Sequence, residues 1–462
     1  MKTTTFLALA AAVVPSSAAV PYTSGASRME RLMRLKEQDW ENARIQGIGL
    51  FNEKANFVTI SAAQKCTNGV AGGTYKCNNV DLHGFISHAN LGSTGKGNDV
   101  WGWTSPTGRE FGIVGQTNGV AFVEVKSDGS LTYLGRLDTQ TTATSWRDIK
   151  VIGNHAYIGA ESSNHGLQIF DLTKLLNITT PKVFSKTTDI THFSGFGSSH
   201  NIVASEDAKF IYAVGGQSGA NARNTKCGGG LFMVDVSNPS KPTSPGCVGA
   251  AGYVHDAQCV TYTGPHAKYY GKEICFGFNE DSLVVYDMSN KASVKVVSKT
   301  KYTGNAYSHQ GWLVDSSMKF LLLDDELDEK DKTSTARDGY TRTYIFNVTN
   351  LEAPFNTGIY KSPAKSIDHN QYVHEGLTYQ ANYGSGLRIV DVSGVELDPT
   401  GGNFQEVGFF DCYPEDDSRG GDVAFLGTWS VYPYFKSGYI LLNSIERGIF
   451  SLKYTGRKAK YV

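Results

Sequence analysis

The sequence predicts an all-β chain, a single seven-bladed β-propeller with a short N-terminal helical arm, and three observations carry that reading. Seven short polar clusters, most of them centred on histidine, each open an apolar strand run: Asn98-Asp99, Arg147-Asp148, His200-Asn201, His255-Asp256, His309-Gln310, His369-Asn370 and Thr428-Trp429. Each cluster leads through a hairpin to an apolar run that ends in turn-forming polar residues, such as LQIFDLT (167–173), LFMVDVS (231–237), LVVYDMS (283–289) or LRIVDVS (387–393). Units of roughly 45–60 residues with this content are the mark of one four-stranded sheet per repeat. Glycine is also abundant, at 51 of 462 residues, as short strands joined by turns require.

In chain order, MKTTTFLALAAAVVPSSAAVP reads as a secretory signal over residues 1–19, with Lys2 as the positive start and Ser17-Ala18-Ala19 as small residues before cleavage. Residues 20–79 form an arm. Within it, 26–45 carry apolar residues at helical spacing among alternating charges, which predicts one amphipathic helix packed against the ring. Cys66 and Cys77 then bracket a glycine-rich loop. The propeller itself is expected over 80–455, with 456–462 as a tail.

The fourth repeat displays the unit most plainly. DAQCVTYTG (256–264) is the inner strand, KEICFGFNED (272–281) its hairpin partner, SLVVYDMS (282–289) the third strand and VKVVSKTKY (294–302) the outer one. The third strands are apolar throughout because neighbouring blades cover both faces, and their terminal Asp-x-Ser/Thr side chains bond local backbone to force the turn. The last repeat supplies only three strands: 429–435, 438–444 and 448–454. VDLHGFIS (80–87) resembles the outer strands and is expected to complete that blade, hiding two sheet edges.

Seven cysteines suit an oxidising compartment. Cys66 with Cys77, Cys227 with Cys247, and Cys259 with Cys275 are candidate local disulfides that leave Cys412 odd; spacing alone does not fix the connectivity. Asn177 and Asn347 begin glycan-acceptor patterns at strand exits. A formal charge of −1 with interspersed signs gives no footprint for nucleic acid and no polybasic membrane patch. No later segment is long and apolar enough to span a bilayer. Secretion to the extracellular space is therefore expected, as a monomer.

The runs HDAQCVTY, EICFGFNED, SHQGWLVD, FLLLDDELDE, TRTYIFNVTNL, DHNQYVHEGLTYQANYGSGLRIVDVS and WSVYPYF…IERGIFSLKY resemble the choice-of-anchor B family of LVIVD-repeat proteins. The likeness covers most of 60–455 and implies an extracellular propeller; it carries no reaction, and the family's typical bacterial anchor has no counterpart here.

In a propeller, inner-strand starts and second-strand ends meet at one rim. That rim should carry His200, His255, His309 and His369 beside Glu280, Asp281, Asp324, Asp325 and Glu326. Imidazoles with carboxylates suit a divalent transition metal, and carboxylates with amide oxygens suit calcium. The opposing reading makes the histidines hydrogen-bonding struts between blades, since only one residue of each pair can face the channel. The acid run 324–331 divides into a near half at the rim and a far half, Asp328, Glu329 and Asp331, expected in a solvated loop. Trp101, Trp103, Trp146, Trp312 and Trp429 are candidates for stacking on sugars or peptides. No nucleophile elbow, phosphate loop or zinc-protease motif is present. Two functions fit: an extracellular protein or carbohydrate binder using the histidine- and acid-lined face, with or without a structural cation, or a metal-dependent hydrolase or lyase acting on extracellular polymer. The second would use His255, His309 and His369 as ligands and Glu280 or Asp325 as base.

Overall fold

A computed structural model describes residues 27–48 and 57–461; the expected signal segment lies outside them. Seven sheets follow one another around an axis, antiparallel apart from Lys182–Phe184, which pairs in parallel with the edge of the first, and each begins with an inner strand that opens at one of the polar clusters. The inner strands of blades one to seven are Gly97–Thr104, Arg147–Ile152, Asn201–Ser205, Asp256–Thr261, Ser308–Leu313, Asn370–His374 and Thr428–Tyr432. Successive inner strands pack side by side, the seventh against the first, so the ring is closed.

Closure follows the expected route. Val80–Ser87 pairs antiparallel with Gly448–Tyr454, from Val80 opposite Tyr454 to Ser87 opposite Gly448, and supplies the fourth strand of the seventh blade. The glycine-rich loop before it is more ordered than the sequence suggested. It forms a hairpin, Val70–Ala71 with Tyr75–Asn78, that extends the sixth blade by pairing Cys77 with Phe410. The N-terminal arm thereby covers the outer edge of one blade and completes the next.

The third strands Leu283–Asp287 and Leu387–Asp391 are buried along their whole length, and Leu167–Asp171 and Leu231–Asp235 up to their last residue, which explains their apolar character. Three disulfides join Cys66–Cys77, Cys227–Cys247 and Cys259–Cys275, and Cys412 is a buried free thiol. Among the described residues no helix is long and apolar enough to cross a membrane.

The helix, α1 (Arg28–Gln46), starts with a capping box in which the Ser27 hydroxyl accepts from the Glu30 N–H and the Glu30 carboxylate accepts from the Ser27 N–H. It ends at Gly47, whose φ of 63° is the left-handed conformation that glycine adopts without strain. Its buried stripe is Met29, Leu32, Lys36, Trp40 and Ala43. That stripe packs on Trp146, Tyr253, Tyr307, Ile367, Tyr383 and Phe425 from the loops around the channel mouth and on Trp429 at the start of the seventh inner strand. The helix therefore stoppers one end of the channel.

Candidate functional site in the central channel

Two layers of side chains line the channel beneath α1. The upper layer is an arc of rings contributed by consecutive blades: His200 to His255 at 4.5 Å between centroids, His255 to His309 at 4.1 Å, His309 to His369 at 4.5 Å, and His369 to Trp429 at 5.0 Å. Trp429 takes the histidine place in the seventh blade. The register there is shifted by one from the pair read in the sequence, and Ser430 follows as the polar partner.

The four histidines were expected at an open rim; all are at most 3% exposed. Two expectations about them, channel lining and strutting, turn out to hold for the same residues. His255 donates from Nδ1 to the His309 carbonyl at 2.8 Å, and His369 donates from Nδ1 to the Trp429 carbonyl at 2.6 Å. Each bond ties one blade to the next and leaves Nε2 of that ring as the unprotonated nitrogen. Burial holds His255, His309 and His369 well below the ordinary imidazole range, so they are neutral at pH 7.

Glu326 sits at the centre of this layer. Its carboxylate lies 3.4 Å from Nε2 of His309 and 3.5 Å from Nε2 of His369, and it accepts from the Tyr383 hydroxyl. Lys36 of α1 reaches down to it at 2.8 Å, and both side chains are 0% exposed. The ammonium also lies over the Trp429 ring, 5.0 Å from its centroid. His255, His309 and Glu326 could present ligand atoms within 4.8 Å of one another. Two neutral imidazoles, His255 oriented by a backbone carbonyl, together with a carboxylate fit a transition metal chemically. The Lys36 ammonium already supplies the positive charge at this carboxylate.

The remaining expected ligands lie elsewhere. Glu280 accepts from the Met29 N–H at 3.0 Å and pairs with Arg223 at 2.6 Å, so it anchors the start of α1. Asp281 is partly exposed and paired with Lys299 at 3.2 Å. Asp325 accepts from the Ala306 and Tyr307 N–H groups and from the Tyr302 hydroxyl, which fixes the loop into the fifth blade. Asp324 accepts from Gln371 at 2.7 Å. The far half of the acid run is not the solvated loop it was expected to be: Asp328 and Glu329 are 0% and 1% exposed, and only Asp331 reaches solvent, where Arg31 of α1 pairs with it. The loop folds back over the rim because α1 gives its Asp331 and Lys330 partners in Arg31 and Asp39. Of the glycan candidates, Asn177 is exposed, whereas Asn347 is half-buried with its side-chain oxygen accepting from Thr349.

The lower layer is formed by the second residue of each pair. Asp99 accepts from the Ile149 N–H at 2.9 Å and Asp148 from the Ile202 N–H at 2.7 Å, one blade reaching to the next each time. Gln310 makes the same link twice, accepting from the Gln371 N–H and donating to the Gln371 carbonyl, both at 3.1 Å. Lys150 balances the acids, 2.8 Å from Asp148 and 3.5 Å from Asp99. Replacing Gln310 by leucine leaves the buried Gln371 N–H and carbonyl without partners, and a loss of about 2 kcal/mol is expected in urea unfolding. The space left between the two layers is about 10 Å³, room for one water.

Two residues further along the same strands the channel opens at the face opposite α1. Trp101, Lys150, Val203, Trp312 and Tyr432 lead into a cavity of about 500 Å³, joined by Tyr434, Gln258, Glu206 and Asp207. Tyr372 packs edge-on between Trp101 and Trp312, at 5.3 and 5.0 Å. Of the five tryptophans singled out in the sequence, Trp101 and Trp312 line this mouth, Trp146 and Trp429 contact α1, and Trp103 is core. The signal for this mouth was strand alternation: the residue two beyond each polar partner shares its face.

LVIVD repeats are found in the chain at residues 145–174, which run from the second polar cluster through the third strand of that blade, and at 227–248 in the following blade. Among solved structures, the β-propeller domain of Cps50 (Swd1) from Myceliophteria thermophila is similar over 78% of this chain and 96% of that one, with 10% identity and a TM-score of 0.46. No curated protein matches the chain.

Proposed function

We propose that this chain is a secreted LVIVD-repeat propeller of the choice-of-anchor B type that acts as an extracellular binding protein, and that it binds carbohydrate at the mouth opposite α1. The observation that carries the reading is the asymmetry of the channel: α1 fills the histidine-lined end, while the other end opens into a cavity whose walls are aromatic and whose rim holds acids and amides. Aromatic faces stack on the apolar faces of sugar rings, and a few convergent polar groups select among hydroxyls. Three disulfides and the repeat content agree with an extracellular place of work, and Asn177 is the better exposed glycan acceptor.

The test is titration of protein purified from culture medium with neutral and acidic oligosaccharides, followed by tryptophan fluorescence. Trp101→Ala should weaken binding about tenfold or more. Binding that ignores Trp101→Ala and Trp312→Ala, or capture of proteins alone, removes the carbohydrate reading.

The convergence of His255, His309 and Glu326 favours a second reading, a metal-dependent hydrolase or lyase acting on extracellular polymer. There a metal would supply Lewis acidity, held by those three side chains after Lys36 withdraws. About one transition metal per chain, lost on His309→Ala, would establish it. A chain free of transition metal in the same preparation would leave the histidines as struts.

A further inference from the structure

A separate group of acids, independent of the binding reading, lies between the fifth and sixth blades. Strand Phe320–Asp325 delivers Asp324, the loop after it brings back Asp328 and Glu329, and Asp368 comes from the segment entering the sixth blade. All four are at most 1% exposed. Asp328, Glu329 and Asp368 can place one oxygen each within 4.8 Å of one another. Asp324 is the charge that acts most strongly on Asp368.

The protein gives these groups few partners. Gln371 donates to one oxygen of Asp324, the Tyr344 hydroxyl to one of Asp328, and the Arg342 N–H to one of Glu329. Five buried oxygens remain without a donor: Oδ2 of Asp324, Oδ1 of Asp328, Oε2 of Glu329 and both of Asp368. Among the described residues no side-chain nitrogen of lysine, arginine or histidine comes within 4.0 Å of any of the four carboxylates. Buried carboxylates normally find a cation or a full set of donors, because each unpaired one is costly.

We propose that Asp324, Asp328, Glu329 and Asp368 form a calcium site that ties the fifth blade to the sixth. The donors are all carboxylate oxygens, which select a hard cation over zinc or copper. Two oxygens on one calcium, each at about 2.4 Å, stand no more than about 4.8 Å apart, and the convergence of Asp328, Glu329 and Asp368 meets that limit. The same loop carries Glu326, which receives Lys36, and Asp331, which receives Arg31, so the ion would also hold the loop on which α1 is seated. Without an ion the four groups must take up protons instead. Burial and mutual repulsion push Asp328 up to about 8 and the other three well above the usual carboxylate range.

The test uses the full chain stripped with EGTA. Calorimetric titration should show one calcium per chain, and melting should rise by roughly 3 °C at a hundredfold excess over the dissociation constant. Terbium at the site should be sensitised by tyrosine excitation, since the Tyr344 hydroxyl lies 2.8 Å from Asp328, and calcium should quench the emission by displacement. Asp368→Asn should abolish both responses yet melt at or above the wild type in EGTA, because it removes one of four buried carboxyls that must be kept protonated together when no ion is bound. A wild-type chain with neither calcium uptake nor terbium emission overturns the proposal, whatever the variant does. Calcium uptake that survives both Asp368→Asn and Asp328→Asn overturns it equally.

Discussion

Replacing Lys36 by methionine is expected to cost about 4 kcal/mol of stability, although methionine fits the apolar stripe of α1 better than lysine does. The reason is Glu326. Its carboxylate is fully buried, 2.8 Å from the ammonium, and removal of Lys36 leaves that charge without its counter-ion. Burial is the largest influence raising the Glu326 carboxyl, and Lys36 is the largest opposing it. In Lys36→Met the folded-state value therefore rises further above the unfolded one. A raised carboxyl contributes stability that is fully present below the unfolded value and lost as pH rises through the folded value. The deficit of the variant should accordingly be small near pH 4 and grow toward pH 8. Lys36→Met with Glu326→Gln removes both charges, keeps an acceptor for the Tyr383 hydroxyl, and should recover most of the loss. Urea unfolding of the two variants at two pH values decides the matter. A neutral single variant, or a double variant no better than the single, would mean that the pair does not hold the stopper in place.

The sequence made the strands legible because their burial differs by position. Third strands covered on both sides must be apolar from end to end, and the recurrence of LFMVDVS or LRIVDVS cannot arise in a helix-rich fold. Closure by Val80–Ser87 was legible because the last repeat lacked an outer strand. The disulfides were suggested by bracketing, since each pair joins nearby segments. The site was harder to see. Lys36 falls within the stripe Met29, Leu32, Trp40 and Ala43, a signal available in the sequence, but lysine on an amphipathic helix is ordinarily solvated. Burial of Asp328 and Glu329 depends on a loop held by Arg31 and Asp39 almost 300 residues earlier, and no local pattern encodes that. The histidines could be read either as channel lining or as struts; tertiary contacts make His255 and His369 both, because each of those rings faces the axis while its Nδ1 reaches the next blade, and His200 ties back to Glu161 of the blade before it.

Truncation of Phe85 to alanine is expected to cost about 4 kcal/mol, within the range for a buried phenylalanine in a core that cannot collapse. Phe85 is 1% exposed, its ring tilted against Phe450 at 4.6 Å between centroids, and packed with Val431 and Leu442 in the core of the seventh blade. Its strand is one of a blade's four principal strands yet joins residues from opposite ends of the chain, whereas the four principal strands of each other blade follow one another in sequence and the N-terminal hairpin only adds to the edge of the sixth. Loss of packing there weakens the one seam through which the ring can open, so the effect should appear mainly as faster unfolding, with refolding little changed. Phe122→Ala supplies the comparison. That ring is equally buried, but in the first blade, whose four principal strands are contiguous in sequence. If the seam opens first, Phe85→Ala should accelerate unfolding and expose Gly448–Tyr454 as an unpaired edge prone to aggregate, while Phe122→Ala should lower stability without that selective exposure in hydrogen exchange. Equal protection of the seventh blade in the two variants would show that the ring unfolds as one unit and that closure is not its weak point.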